Sequence, residues 1–218
     1  MTTNTATVTT TATTSDPRVL FDRALVTATS VIERVRPDQF DDPTPCPDYD
    51  VRQVVGHMTE VLERVAAIGR GDDPFSVPLD VDRPAGDGWL VPWLDAAAGA
   101  RAAWSDDASL TRQVVLPWAE GPGAAALAGF VNEVTVHTWD LAIATGQRPV
   151  FDHEVLEAAF DSIRQVLPAI GRRAMFDAMC EQLPAAVRPS SPPFAEAIDV
   201  PDDAPLLDRL IAWNGRRP

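Results

Sequence analysis

Apolar residues recur at helical spacing in four segments of the chain, separated by stretches rich in Pro, Gly and Asp. The four segments cover residues 15–37, 50–71, 93–105 and 123–146. Asp50 and Gln53 form a capping-box signature at the start of the second segment, and Gly71 is a typical stop signal at its end. Amphipathic helices in this order predict an all-α protein, built as an antiparallel four-helix bundle.

The segments between and after these helices predict a tail, connectors and a C-terminal extension. Residues 1–15 predict a disordered tail, 72–92 a long loop that acts as a lid, and 111–118 an extended connector or short strand. Residues 152–166 predict a fifth helix, and a short helix is predicted near the C-terminus, after Pro205. The predicted division is therefore a tail at 1–15, a bundle with a metal site at 16–149 and a helical C-terminal extension at 150–218.

The fourth helical segment carries a carboxylate and an imidazole inside an apolar pattern. Glu133 and His137 are four residues apart, about one helical turn, so they share a face. Phe130, Val134 and Leu141 recur at similar spacing, which predicts that this face points inward. Buried polar groups need partners, so this pair requires an explanation.

His57 provides a third polar group on a predicted core face, between Val54 and Val61 in the second helix. Two imidazoles and one carboxylate are typical ligands of a catalytic zinc site that keeps one position open, and the same set also suits Ni, Fe or Mn. We therefore predict that His57, Glu133 and His137 bind a divalent metal. A Glu–His hydrogen bond without metal is the alternative, but it leaves His57 unexplained.

Other polar and aromatic residues admit both a functional and a structural interpretation. Asp140, three residues after His137, is a candidate to hold an imidazole N–H or an arginine beside the site, or else forms a structural or solvated salt bridge. Cys46 is interpreted as structural and His153 as exposed. Tyr49 and Trp118 suit either a pocket mouth or packing.

The overall composition excludes several classes of function. The chain has 218 residues, 45% of them hydrophobic, and a net charge of −14, which argues against nucleic acid and anionic membrane surfaces as partners. Two cysteines without CxxC spacing indicate a reducing cytoplasm. The sequence contains no apolar run of about 18 residues, so it predicts no membrane span. Apolar stripes of this length fit a monomer or a homodimer.

Two motifs resemble the mycothiol-dependent maleylpyruvate isomerase family of DinB-like metal-binding proteins. They are Thr44-Pro45-Cys46-Pro47-Asp48-Tyr49-Asp50-Val51-Arg52 followed by Gly56-His57, and His137-Thr138-Trp139-Asp140-Leu141-Ala142. The segment 200–210 is also similar to the ending of an actinobacterial subfamily of metal-binding proteins. The resemblance implies a DinB-like four-helix bundle in which His57, Glu133 and His137 match the metal ligands, with mycothiol as a possible thiol cofactor.

These observations support three functional hypotheses. The first is a metal-dependent enzyme that activates a small, mycothiol-like thiol for transfer to, or isomerisation of, an electrophilic metabolite. The second is a hydrolase or lyase that uses metal-activated water without a thiol. The third is a non-catalytic metal-binding or stress-response module, which a fourth protein ligand would favour.

Overall fold

The structure is a computed structural model that describes residues 16–47, 49–73, 77, 88–116, 119–182 and 195–218. The described elements are α1 (Pro17–Ile32), a 3-10 turn (Pro37–Gln39), α2 (Val51–Arg70), α3 (Leu90–Ala103), α4 (Asp107–Thr111), β1 (Gln113–Leu116), β2 (Ala119–Pro122), α5 (Gly123–Ala144), α6 (His153–Val166), α7 (Arg172–Gln182) and α8 (Leu206–Trp213). The described chain is mostly helical, as predicted.

Helix α5 lies at the centre of the helical packing. It contacts α1, α2 and α6, and α3 contacts both α1 and α2. Leu127, Val131 and Leu141 on α5 are fully buried, and the polar residues Thr135 and Asp140 on the same helix are buried as well. Because neighbours surround α5 on several sides, side chains on more than one of its faces lie inside the protein.

The start of α2 fixes the position of His57. Asp50 Oδ1 accepts a hydrogen bond from the Gln53 backbone N–H at 2.8 Å, and Gln53 Oε1 accepts one from the Asp50 N–H at 2.9 Å. The predicted capping box is therefore present. The helix ends at Gly71, whose φ of 84° is in the left-handed region. His57 lies in the second turn of this well-capped helix.

Three predicted segments differ in detail from the structure. Helix α3 begins at Leu90 rather than at Trp93. The predicted extended segment at 111–118 contains β1, which pairs antiparallel with β2, a strand that the sequence pattern did not predict. In the predicted helical C-terminal extension, α7 (Arg172–Gln182) is a helix that was not predicted individually. Several parts of the chain lie outside the described residues: the predicted tail at 1–15, most of the predicted lid at 72–92, Trp118 and the Pro-rich residues 184–193.

The C-terminal segment packs against the middle of α5. Trp139 and Val136 of α5 form an apolar cluster with Ile211 of α8. Asn132 on α5 and Asn214 after α8 exchange side-chain amide hydrogen bonds of 3.2 and 3.0 Å. The last residues of the chain therefore lie beside the helix that carries Glu133 and His137. In the described part of the chain, no helix has the length and apolar character that a membrane span requires.

Candidate metal centre

His57, Glu133 and His137 converge between α2 and α5. His57 Nε2 lies 2.9 Å from Glu133 Oε1, and His137 Nε2 lies 3.3 Å from the same oxygen. The two imidazole rings meet edge to face with their centroids 4.8 Å apart. One nitrogen of each imidazole and one carboxylate oxygen all lie within 4.8 Å of one another. The structure thus brings together the three residues that the sequence singled out as metal ligands.

The three side chains differ in exposure. His57 and Glu133 retain 17% and 24% of their side-chain exposure, whereas His137 retains 8%. The prediction of an inward face is therefore correct for His137, while the other two side chains are only partly buried. The cluster is therefore accessible to solvent at His57 and Glu133 and buried at His137.

Asp140 lies on the interior side of His137 and is completely buried. Its Oδ2 atom is 3.0 Å from His137 Nδ1 and also accepts a 3.0 Å hydrogen bond from Arg216 Nη2, while Oδ1 accepts one of 3.3 Å from Arg216 Nε. The sequence offered an imidazole or an arginine as the partner of Asp140, and the structure contains both. Because a carboxylate accepts, the proton lies on His137 Nδ1, and Nε2 is directed at the cluster.

Electrostatics favour a charged Glu133–His137 pair in the metal-free protein. Burial by itself would raise the pKa of Glu133, but the charge of His137 and hydrogen bonds from His137 and His57 hold that pKa well below its usual value. Burial would lower the pKa of His137, but Glu133 and Asp140 raise that pKa to about 9. His137 is therefore protonated at neutral pH when no metal is bound.

His57 has the opposite electrostatic behaviour. Burial lowers the pKa of His57, and the charges of His137 and Arg64 act in the same direction against the hydrogen bond to Glu133. A neutral imidazole is the form that binds a metal. His57 is thus prepared for ligation at neutral pH, whereas His137 must first lose a proton.

A second group, formed by Cys46, His137 and Asp140, also has ligand-type atoms within 4.8 Å of one another. Here, however, both oxygens of Asp140 already accept hydrogen bonds from Arg216. A guanidinium beside the group repels a cation, so it suits a metal less well than the cluster of His57, Glu133 and His137. Cys46 is buried, in keeping with the structural interpretation given to it.

The donor chemistry of His57, Glu133 and His137 fits a divalent metal. Among the described residues, this group contains two imidazole nitrogens and one carboxylate, with no fourth ligand-type side chain. Three protein ligands are typical of catalytic sites, whereas structural zinc sites usually have four. The Tyr49 ring is tilted against the His57 ring at a centroid distance of 5.2 Å. His153 is exposed, as predicted, and lies 3.4 Å from Glu157.

Two arginines near the cluster, Arg64 and Arg216, were not predicted from the sequence pattern. Arg64, two turns after His57 on α2, has a buried Nη2 atom without a hydrogen-bond acceptor among the described residues. Burial lowers the pKa of Arg64, and Glu60 and Glu133 oppose that shift. Arg216 is separated from Asp140 by 76 residues, so spacing gave no signal for it. The helical spacing of His57 and Arg64 was the only available signal for Arg64.

Comparisons with known proteins place this architecture in a family. The family model for the mycothiol maleylpyruvate isomerase N-terminal domain matches residues 21–142, which include α2, most of α5 and all three predicted ligands. Two uncharacterized proteins of Mycobacterium tuberculosis, from strains CDC 1551 / Oshkosh and H37Rv, are each 29% identical over 202 residues, covering 92% of this chain and 98% of their own length. No solved structure matches the chain. Since the family model covers more than half of the sequence, the chain belongs to the mycothiol maleylpyruvate isomerase N-terminal domain family.

Proposed function

We propose that this protein is a cytoplasmic, metal-dependent enzyme that activates a small thiol such as mycothiol. The activated thiol is either transferred to an electrophilic metabolite or used to isomerise it. His57, Glu133 and His137 are the proposed metal ligands. The observation that carries the proposal is the convergence of both Nε2 atoms on Glu133 Oε1, at 2.9 and 3.3 Å, at the accessible edge of the cluster. The family match to a mycothiol maleylpyruvate isomerase domain supports the choice of thiol.

Zinc is the proposed metal, because two imidazoles, one carboxylate and an open position are one of its established catalytic ligand sets. Nickel, iron and manganese accept the same donors and are the alternatives. When bound, a divalent cation of this kind lowers the pKa of a coordinated thiol, so that the thiolate is available as a nucleophile. The partial exposure of His57 and Glu133 provides the access that a thiol and its electrophile need.

The remaining residues would hold the ligands and exclude water. Asp140 fixes the proton on His137 Nδ1 and leaves Nε2 directed at the cluster. Arg64 adds positive charge close enough to affect both His57 and Glu133, which favours an anionic group on the accessible side. We propose that the DinB-like four-helix bundle, within residues 16–149, consists of α1, α2, α3 and α5, with residues 150–218 as its extension. The packing of these four helices on one another supports the bundle.

A hydrolase or lyase that uses metal-activated water is the second candidate function. The same accessible edge admits water as readily as a thiol, because His57 and Glu133 both remain partly exposed. The two functions differ in one requirement, since only the first needs an added thiol. A non-catalytic metal-binding module is the third candidate and requires neither turnover nor thiol.

Metal analysis and turnover assays on the purified protein test these proposals. We expect about one divalent ion per chain in the parent and in His153→Ala, which removes an exposed histidine, and loss of the ion in His137→Ala. The loaded parent is then incubated with an electrophile, with and without mycothiol, and product is measured by mass spectrometry. We expect product only when mycothiol is present and His137 is intact.

Each other outcome selects a different function. Turnover that needs metal but not mycothiol would establish the hydrolase or lyase. Stoichiometric metal without turnover of any electrophile would favour the non-catalytic module. A parent protein that binds none of Zn, Ni, Fe or Mn and shows no thermal shift with them would rule out the metal-dependent functions.

A further inference from the structure

We propose that Arg216, the third residue from the C-terminus, is a positioning residue of the metal centre that acts on His137 through Asp140. This inference rests on the proposed role of His137 as a metal ligand. Among the described residues, Arg216 forms no hydrogen bond or ion pair with the three proposed ligands; its side chain binds Asp140 and the Asn214 carbonyl oxygen.

The hydrogen bonds of Asp140 carry the argument. Arg216 donates from Nε to Oδ1 at 3.3 Å and from Nη2 to Oδ2 at 3.0 Å, so a planar guanidinium holds a planar carboxylate at two points. The same Oδ2 atom lies 3.0 Å from His137 Nδ1. With the carboxylate held at two points, the acceptor for His137 Nδ1–H has one orientation, and so does the imidazole that donates to it.

The backbone of the C-terminal segment is arranged to deliver Arg216 to this place. The turn after α8 passes through Gly215, with a φ of 77°, where an added Cβ would lie 2.9 Å from Ala195 Cβ. Arg216 N–H then donates to the Ile211 carbonyl oxygen at 3.1 Å, and Asn214 is bonded to Asn132 of α5. The side chain of Arg216 is 7% exposed, so its charge is largely removed from water, and the buried carboxylate of Asp140 compensates that charge.

A second buried arginine provides the contrast with a purely structural role. Arg172 is also almost fully buried, but it donates to the carbonyl oxygens of Pro168, Ala195 and Trp213. It ties the C-terminal segment together without contacting Asp140 or the proposed ligands. Replacing Arg172 should therefore lower the stability of the fold and affect the metal centre only as far as it displaces Arg216.

The test compares Arg216→Met with Arg172→Met, using metal affinity and the spectrum of the cobalt-substituted protein. Partners that orient metal ligands are typically worth about 10- to 100-fold in metal affinity. We expect Arg216→Met to weaken zinc binding by this factor in chelator competition and to change the visible Co²⁺ spectrum. Arg172→Met should change the zinc Kd and the spectrum much less than Arg216→Met does, even if it unfolds at lower urea concentration. Arg216→Lys, which keeps the charge but has a single donor nitrogen instead of the planar guanidinium, should recover part of the loss.

A double substitution tests whether Arg216 acts through Asp140. Once Asp140→Asn has weakened zinc binding, adding Arg216→Met should cause little further loss, because both changes remove the same hold on His137. Fully additive losses, or a parental zinc Kd and Co²⁺ spectrum in Arg216→Met, would overturn the inference. If Arg216→Met does not fold, Arg216→Gln decides in the same way. When the parent binds zinc but the Arg216 variants match it, only this inference fails; when the parent binds no metal, the proposed function fails with it.

Discussion

The two ring nitrogens of His137 face two very different environments. On the Nε2 side, Glu133 and His57 are partly exposed and form the candidate metal cluster. On the Nδ1 side, Asp140 is fully buried and Arg216 nearly so, and Asp140 pairs with both His137 and Arg216. One imidazole thus links an accessible cluster to a closed ion pair.

This difference separates ligand binding from ligand orientation. The donor atoms on the accessible side are held by one another rather than by a buried ion pair, which leaves them freer to rearrange around a metal. The closed side has no such freedom, since Asp140 accepts from both His137 and Arg216. Changes on the closed side should therefore reduce folding stability most, and changes on the accessible side should reduce metal binding without a comparable loss of stability.

Asp140→Ala should have the largest effect on stability. It leaves the buried Arg216 guanidinium and the His137 Nδ1–H without their carboxylate. Removing one partner of a buried ion pair typically costs about 3–5 kcal/mol. We expect a loss of that size in the free energy of unfolding of the metal-free protein, measured by urea denaturation.

Asp177→Ala is the matched control, because it removes an exposed carboxylate that pairs with Arg173 one turn away on α7. Exposed pairs of this kind contribute about 0.3–0.5 kcal/mol. Equal losses in the two variants would show that the closed side of His137 contributes no more stability than the surface.

His57→Ala should have the next largest effect, on metal affinity. His57 supplies one of three proposed ligands, so its loss should weaken zinc binding more than the 10- to 100-fold typical of residues that only orient ligands. Its side chain is 17% exposed, and we expect an unfolding free energy lower by only about 1 kcal/mol, the usual size for a point substitution. Chelator competition and urea denaturation measure the two quantities.

His153→Ala controls for the loss of a histidine, since His153 lies on the surface of α6. It should bind zinc as the parent does. If His57→Ala retains parental zinc affinity while Asp140→Ala loses it, the metal lies on the closed side, at the group that includes Cys46.

Local signals in the sequence were sufficient to predict that His57, Glu133 and His137 come together, but not how exposed they are. The i, i+4 spacing of Glu133 and His137 and the capping box before His57 put these residues on well-defined helical faces, and the fold joins the two helices as expected. The spacing overestimated the burial of Glu133. Because α5 has apolar residues on several faces, its pattern did not identify the side that faces solvent.

Long-range contacts explain why the closed side was only half predicted. Asp140 was a candidate because it lies one turn from His137, whereas Arg216 reaches it over 76 residues by way of α8 and the turn at Gly215. No local pattern records such a contact. Strand β2 was missed for a different reason, since Ala119-Glu120-Gly121-Pro122 contains no β-branched or aromatic residue.

The dependence of zinc affinity on pH should distinguish the two sides of His137 further. The expected change in affinity per pH unit is smaller than the effects of the substitutions above. In the metal-free protein the pKa of His137 is raised to about 9, that of His57 is lowered and that of Glu133 is well below its usual value. Between pH 7 and 9, only His137 must therefore lose a proton before Nε2 can bind a metal. Each unit of pH should raise zinc affinity about tenfold, and the rise should level off near pH 9.

Asp140→Asn provides the test of which side sets this pH dependence. Since the Asp140 carboxylate is one of the groups that raise the His137 pKa, the amide should let that pKa fall, and zinc affinity should level off at a lower pH than in the parent. The measurement is the zinc dissociation constant by chelator competition at half-unit steps of pH, on parent and variant side by side. An affinity that does not change from pH 7 to 9 in the parent would mean that no proton has to leave the cluster. If the variant has the same dependence of zinc affinity on pH as the parent, Glu133 on the accessible side controls the protonation of His137 without Asp140.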